Sequence, residues 1–293
     1  MITKDNIFYS FSKDNVPVKK VHPKETVIIE TIDAFGGQIT SEEDQLDSLD
    51  WNQVNPATGP IYVEGAKPGD FLKVEINGIE IDAYGVMASI PDAGVFGKLH
   101  NQSTIKRFEI YDNYTEFNDM VIPIQPMIGV IGVAPSGKAI SNGEPGPHGG
   151  NMDNKMISTG TVLYLPVFVD GALFGLGDLH AAMGDGETNV TGIEIGGKVT
   201  VTFDLIKGKS NGHPIMIKNG QFYTIYSCKT LDEAVEKAAY EMHYWVKQSL
   251  GYNDSDAAML ISLMADSEIC QVVDPKKTAR MKMPQLYFRY LNL

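Results

Sequence analysis

From Thr26 to Tyr226 the chain is mostly a succession of short β-branched and aromatic runs, each closed by Gly, Pro, Asn or Asp. Thr26–Ile32 follows Pro23. Phe71–Ile81 and Lys198–Ile206 alternate apolar with polar residues, as a strand with one wet face does, and Asn77-Gly78 marks a bend or turn in the first of them. Val121–Ile124, Met127–Ala134, Thr161–Val169, Leu173–Gly177 and Ile193–Ile195 read as further strand material. Ile215–Lys218 and Gln221–Tyr226 flank Asn219-Gly220, a hairpin signal whose turn needs two residues at positive φ. Many short strands with such punctuation fold as a mainly β body, a β-sandwich or barrel.

After Cys228 the period changes. Thr230 is a good N-cap, and Gly251 a good terminator, for a helix over 231–250. Leu231, Ala234, Val235, Ala238, Met242, Trp245 and Leu250 recur at helical spacing and form one core face. A second helix is expected from Ser255 or Asp256 to about Ala265, then a strand over 269–273. The expected organisation is a β-rich region over 1–227 and a smaller α+β subregion over 228–293 packed on it.

Acidic residues outnumber basic ones 37 to 24, a formal charge of −13. That field repels nucleic acid and anionic membranes, and no basic stripe opposes it. No apolar run approaches the ~20 residues of a membrane span. Cys228 and Cys270 have no CxxC spacing, and Met1–Asn6 has no apolar stretch after a basic start. These features lead us to expect a cytoplasmic protein with reduced cysteines.

Chemistry concentrates in Gly177-Asp-Leu-His-Ala-Ala-Met-Gly-Asp-Gly-Glu187, where three carboxylates and an imidazole share eleven residues. Asp178 and His180 are two apart, so on a strand end both point to one face. Asp185 and Glu187 lie in a Gly-punctuated loop. A cation of hard or borderline character takes this mix of oxygen and imidazole; the competing reading is a solvated acidic turn. A second polar loop, Pro147-His-Gly-Gly-Asn-Met-Asp153, supplies His148, Asn151 and Asp153. We expect 161–169 and 173–177 to form a hairpin turned at Asp170-Gly171, which would bring the two loops together.

The order HGGNMD, LYLPV, GALFGLGDLHAAMGDGE resembles the acetamidase/formamidase family of metal-dependent small-amide hydrolases. The resemblance extends to Glu30-Thr-Ile-Asp33 with Gly37-Gln-Ile39, to Asn55–Ala66 with Pro68-Gly-Asp70, and to Asp274-Pro-Lys-Lys-Thr-Ala-Arg-Met281. Only the segment from about Tyr84 to Val121 carries little of the pattern. The resemblance implies short aliphatic amides as substrates, a homodimer or homotetramer, and a site role for Asp33. Physically, Asp33 is simply an acid ending a strand.

Other routes to amide cleavage find no support. There is no GxSxG elbow and no HExxH helix, and neither cysteine has a setting that activates a thiolate. A metal-activated water remains, with an acid to protonate the leaving nitrogen. The expected metal ligands are Asp178 and His180, with Asp33 third. Glu187 is the candidate general base and acid, or else a ligand. Asp153 and Asn151 complete the coordination or hold the amide, His148 stabilises the oxyanion, and Asp185 structures the loop around the site. Zn²⁺ is the first expectation; Ca²⁺, Mn²⁺ or Mg²⁺ also suit the carboxylates, and two ions can be accommodated. The alternatives are a non-catalytic, calcium-stabilised β-sandwich binding module and a metal hydrolase of cyclic amides or esters. His22, His100, His213 and His243 belong to no cluster and receive no ligand role.

Overall fold

Alternation along the strands sends side chains to two separate cores. In the strand Phe71–Ile81, Leu72, Val74 and Ile76 enter one core while Phe71 enters another on the opposite face. Leu163 and Leu165 divide from Tyr164 in the same way, and Tyr223 and Ile225 from Phe222. One sheet therefore has two covered faces, and the computed structural model, which describes residues 1–288 and Leu291, is three-layered.

That sheet has eight strands in the order Asp266–Gln271, Lys277–Pro284, Gln221–Cys228, Ile215–Lys218, Val162–Pro166, Phe71–Ile81, Gly197–Ile206, Thr26–Thr31, all antiparallel. Its inner face meets a nine-stranded sheet across the larger core, to which Ile61, Val63, Phe174, Leu176, Leu179 and Ile195 contribute. Its outer face is covered by the helix Leu231–Leu250 through Ala238, Met242, Trp245 and Val246. The body is a β-sandwich with a small helical region near the C-terminus. The C-terminal strands extend the sheet begun at Thr26, so the segments on either side of Cys228 share one hydrogen-bonded layer.

Local signals are realised where the chemistry is local. Thr230 Oγ1 accepts from Glu233 N, and Gly251 closes the helix at φ 68°. Asn219 and Gly220 adopt φ 49° and 71° in the tight hairpin. The second helix, Asp254–Met264, begins slightly earlier than expected because Asn253 is its cap. At Asn77-Gly78 the strand continues: the register against Gly197–Ile206 slips by a residue there, so the feature is a β-bulge, not a turn. No helix among the described residues is long and apolar enough to cross a membrane.

The expected hairpin across Asp170-Gly171 does not form. A turn closes there, with Ala172 N donating to Val169 O, but Val162–Pro166 pairs within the eight-stranded sheet and Phe174–His180 within the other. The turn is a crossing between layers. The two polar loops meet by another route: Gly149–Asn151 pairs with Met127–Gly132, which pairs in turn with Phe174–His180.

Candidate metal centre

The strand Phe174–His180 is buried along its whole length and lies between Met127–Gly132 and Ala57–Val63. Its last residues carry the site. His180 is directly opposite Glu194 of the short strand Glu194–Ile195, and Asp178 takes the register position opposite Gly129. Asp153 N approaches the same Gly129 carbonyl at 3.4 Å, which brings the loop after Gly149–Asn151 to this point. Glu187 arrives on a turn closed by its own N–H to Gly184 O. Asp274 comes from a distant turn whose N–H is held at 3.1 Å by Gln271 Oε1.

His180 Nε2 is the hub. It lies 3.1 Å from Glu194 Oε2, 3.3 Å from Asp178 Oδ1 and 3.9 Å from Asp153 Oδ1. Two triads share it: Asp178, His180 and Glu194, and Asp153, His180 and Glu187, each offering donor atoms within 4.8 Å of one another. Asp178, Asp153 and Glu187 all have left-handed backbone, at φ 55°, 40° and 45°. Non-Gly residues pay for that conformation, about 1–3 kcal/mol each, and such strain collects at functional sites. Gly129 lacks the side chain that would stop the carboxylates converging: a Cβ there would lie 2.5 Å from both Asp153 Oδ1 and Asp178 Oδ2.

Burial raises the cost of every charge here. Burial and the neighbouring Asp153 push the Glu187 carboxyl well above its usual range. Burial and Asp178 push Asp153 up to about 6, and burial, with Asp178 adding, pushes Glu194 up to about 8. Asp274 is driven up by burial and Asp153. Burial opposes charge on both His180 and Asp178, yet Glu194 and Asp178 raise the imidazole pKa well above its ordinary value, and that imidazole keeps Asp178 low. Buried polar atoms should be paired, but Asn151 Oδ1, Asp153 Oδ1, Asp178 Oδ1, Glu187 Oε2, Glu194 Oε2, Asp274 Oδ2 and His180 Nδ1 all lack hydrogen-bond partners. Unpaired oxygens around one imidazole, in a cradle that a methyl group would fill, fit a divalent cation.

The cavity above these groups has a volume of about 170 Å³ and is lined by Asn151, Asp178, His180, Glu187, Glu194 and Asp274, with Phe35 and Trp51 on its walls. A wider groove of about 480 Å³ runs past Glu187 between Phe108, Phe117 and Ile193.

The residues expected from sequence are distributed as follows. Asp178, His180, Asp153, Glu187 and Asn151 converge. Asp33 stands at the margin, outside both triads: its Oδ1 accepts from Phe35 N at 2.8 Å and Gly37 N at 3.3 Å, and burial, with Asp178 a minor contributor, raises its pKa. His148 is buried with its ring edge-on to Phe11, 5.3 Å away between centroids, and does not line the cavity. Burial lowers its pKa to about 4, so the ring is neutral. Asp185 belongs to neither triad and is gripped by Arg280 and Lys155. Sequence reasoning missed Glu194 and Asp274. Glu194 resembles the wet residue of an Ile-Glu-Ile alternation, although both faces of its strand are covered. Asp274 had a signal, since it opens the C-terminal segment on which the resemblance rests.

The model of the acetamidase/formamidase family matches residues 3–143 and 138–289. The chain is similar to a crystal structure of an acetamidase from Bacillus halodurans, with 45% identity, TM-score 0.97 and coverage of 100% of this chain and 99% of that one. It is equally similar to a predicted acetamidase/formamidase from Thermoanaerobacter tengcongensis, at 45% identity, TM-score 0.96 and coverage of 99% and 97%. A formamidase from Methylophilus methylotrophus is 25% identical over 356 residues, covering 93% of this chain and 87% of that protein. The fold, the site and these likenesses define a hydrolase of the amidase class. Within that class the chain belongs to the acetamidase/formamidase family.

Proposed function

We propose that this chain hydrolyses short aliphatic amides, of the acetamide and formamide type, to a carboxylate and ammonia in a metal-dependent reaction. The observation that carries the reading is the convergence of unpaired, buried carboxylates on His180 inside a cavity of about 170 Å³. That space is well below the ~300–1,000 Å³ of sites for drug-sized ligands, and it suits a molecule of a few heavy atoms. The Bacillus halodurans and Methylophilus methylotrophus relatives, named acetamidase and formamidase, support the same substrate class.

Asp178, His180 and Glu194 would hold the cation, Zn²⁺ in the first instance, with Ca²⁺, Mn²⁺ or Mg²⁺ also suited to the carboxylates. Asp153, with Glu187 or Asp274, offers donors for a second ion. A bound divalent cation supplies Lewis acidity to the amide carbonyl and makes water a nucleophile at neutral pH. Glu187 Oε2, buried and without a partner, takes the proton from the attacking water and delivers it to the departing nitrogen. Asn151 Oδ1, also unpaired, accepts a hydrogen bond from the substrate NH₂ and orients it. Phe35, itself buried, forms the apolar wall that limits water around the reacting carbonyl. Asp33 holds the chain at the cavity margin through its grip on Phe35 N, and His148 supports the loop of Asn151 as a neutral ring.

A calcium-stabilised binding module would expect an all-oxygen site, whereas His180 belongs to both triads. Hydrolysis of cyclic amides or esters would use the same groups, and the small cavity favours the small linear amides. We further place the enzyme in the cytoplasm as a homodimer or homotetramer; its two buried free cysteines suit a reducing compartment, and light scattering at working concentration tests the assembly. Ammonia release measured over formamide, acetamide, propionamide and larger amides tests the substrate class. Preference for bulky aryl amides or peptides would overturn it.

A further inference from the structure

Arg280 is 1% exposed and lies on the strand Lys277–Pro284, remote in sequence from both site loops. Its guanidinium makes a two-pronged contact with Asp185: Nη1 donates to Oδ1 at 2.9 Å and Nη2 to Oδ2 at 2.7 Å. Nη1 also donates to Asn154 Oδ1 at 2.9 Å, and Nε donates to Glu268 Oε2 at 2.6 Å. Asp185 is two residues before Glu187, and Asn154 directly follows Asp153. One side chain thus grips both loops that deliver the second triad.

The other restraints on the loops at these points are mostly backbone bonds: Glu187 N donates to Gly184 O at 3.2 Å, Asp153 N to Gly129 O at 3.4 Å and Ile157 N to Asn154 O at 2.7 Å, while Lys155 meets Asp185 at 3.0 Å. The turn around Glu187 is pinned by Gly186 N to Cys270 O at 2.8 Å and by Val272 N to Gly186 O at 3.1 Å, both to the strand that carries Glu268 or its continuation. Asn154 Oδ1 also caps Met156 N at 3.1 Å. Glu187 and Asp153 both sit in left-handed backbone, a conformation that persists only where the surroundings over-determine it. The Arg280 fork adds to that over-determination by tying the two loops to one rigid group. Its charge is balanced: Asp185, Glu268 and Asp266 face Arg280, Lys155 and Lys282, so the buried cation is paired on each donor edge.

We propose that Arg280 is a positioning residue for the site, fixing Glu187 through Asp185 and Asp153 through Asn154. It touches neither substrate nor cation. The proposal rests on the metal-dependent reading given above. A planar fork is required, because the same side chain must meet a carboxylate edge-on and an amide oxygen beside it; a lysine ammonium is a point donor and cannot span both.

The test compares Arg280→Lys, Asp185→Asn, the double variant and Glu268→Gln. Each is measured for Zn²⁺ affinity by competitive titration, for kcat and KM with acetamide, and for Tm. Outer partners of this kind are worth about 10–100-fold. Arg280→Lys and Asp185→Asn should each weaken Zn²⁺ binding or lower kcat by about that factor, with KM near wild type, and the double variant should be no worse than the poorer single. Glu268→Gln removes the charge facing Arg280 Nε and one of the two acceptor oxygens that Arg280 and Lys282 share, and leaves the Asp185 and Asn154 contacts in place. It should lower Tm while leaving Zn²⁺ affinity and kcat within about twofold, because neither loop anchor is lost. If Arg280→Lys does not fold, Asp185→Asn, at a partly exposed carboxylate, carries the comparison. Wild-type affinity and kcat in the fork variants, or equal losses in Glu268→Gln, would overturn the positioning role alone. A wild-type protein that neither binds Zn²⁺ nor releases ammonia would overturn the reading beneath it as well.

Discussion

His180 Nε2 lies 3.1 Å from Glu194 Oε2, and the two residues are direct partners on adjacent antiparallel strands. The contact is set by sheet register, so Glu194 is as fixed in place as the histidine it faces. Glu194→Gln keeps the shape and removes the charge. Metal affinity should fall at least about tenfold, the lower end for a group supporting a metal site. Metal content after dialysis against a defined Zn²⁺ buffer checks this; unchanged content would remove Glu194 from the site.

Gly129 offers a test that alters no charge. Its φ is not left-handed, so alanine meets no backbone penalty, yet the added Cβ would press on the carboxylates of Asp153 and Asp178. Gly129→Ala should lose metal and activity together. The fold should survive at a cost of about 1–3 kcal/mol, as for overpacking by a single methyl group. Circular dichroism melts beside metal analysis separate the two effects, and a fully loaded, active variant would mean that the carboxylates do not need this convergence.

Much of this was legible in the sequence, and the reasons for the gaps are physical. Caps, hairpin turn and strand alternation are local, and Thr230, Gly251 and Asn219-Gly220 behave as their chemistry dictates. The pairing of Asp178 with His180 was legible because period-two geometry is local too. Sheet membership is not local: Asp170-Gly171 specifies a turn but not which layer the next strand joins. Glu194 was hidden because an acid between two isoleucines has the same pattern whether its face meets water or a second buried surface. Asp274 and Arg280 act across about a hundred residues of chain, a separation at which no spacing rule operates.

Glu187 should separate chemistry from binding. Proton shuttles contribute about 10²–10⁴-fold to rate. Glu187→Gln should lower kcat with acetamide by about that factor while metal content stays near wild type. Loss of the metal in this variant would make Glu187 a ligand, and undiminished turnover would exclude it from the reaction.

His213 predicts a pH dependence of stability away from the metal centre. Its ring stacks on Tyr226 at 4.0 Å, and burial, with Lys237 adding, lowers its pKa from 6.5 to about 4. The folded state therefore holds the neutral ring. Its contribution is fully present above pH 6.5 and is lost as pH falls from there through about 4, because the unfolded chain takes up the proton first. Urea melts at pH 7 and pH 5 should show a smaller loss of stability in His213→Phe than in wild type; identical losses would assign the acid sensitivity elsewhere.

The central claim is that amide hydrolysis here depends on a cation held around His180. The most direct measurement strips the purified protein with a chelator, verifies the metal content by elemental analysis, and follows ammonia release from acetamide and formamide as Zn²⁺ or Mn²⁺ is returned. The account predicts no turnover in the stripped protein, recovery in proportion to metal bound, and no recovery in His180→Ala, which should fail to retain the metal. Full activity in a verified metal-free sample would contradict it.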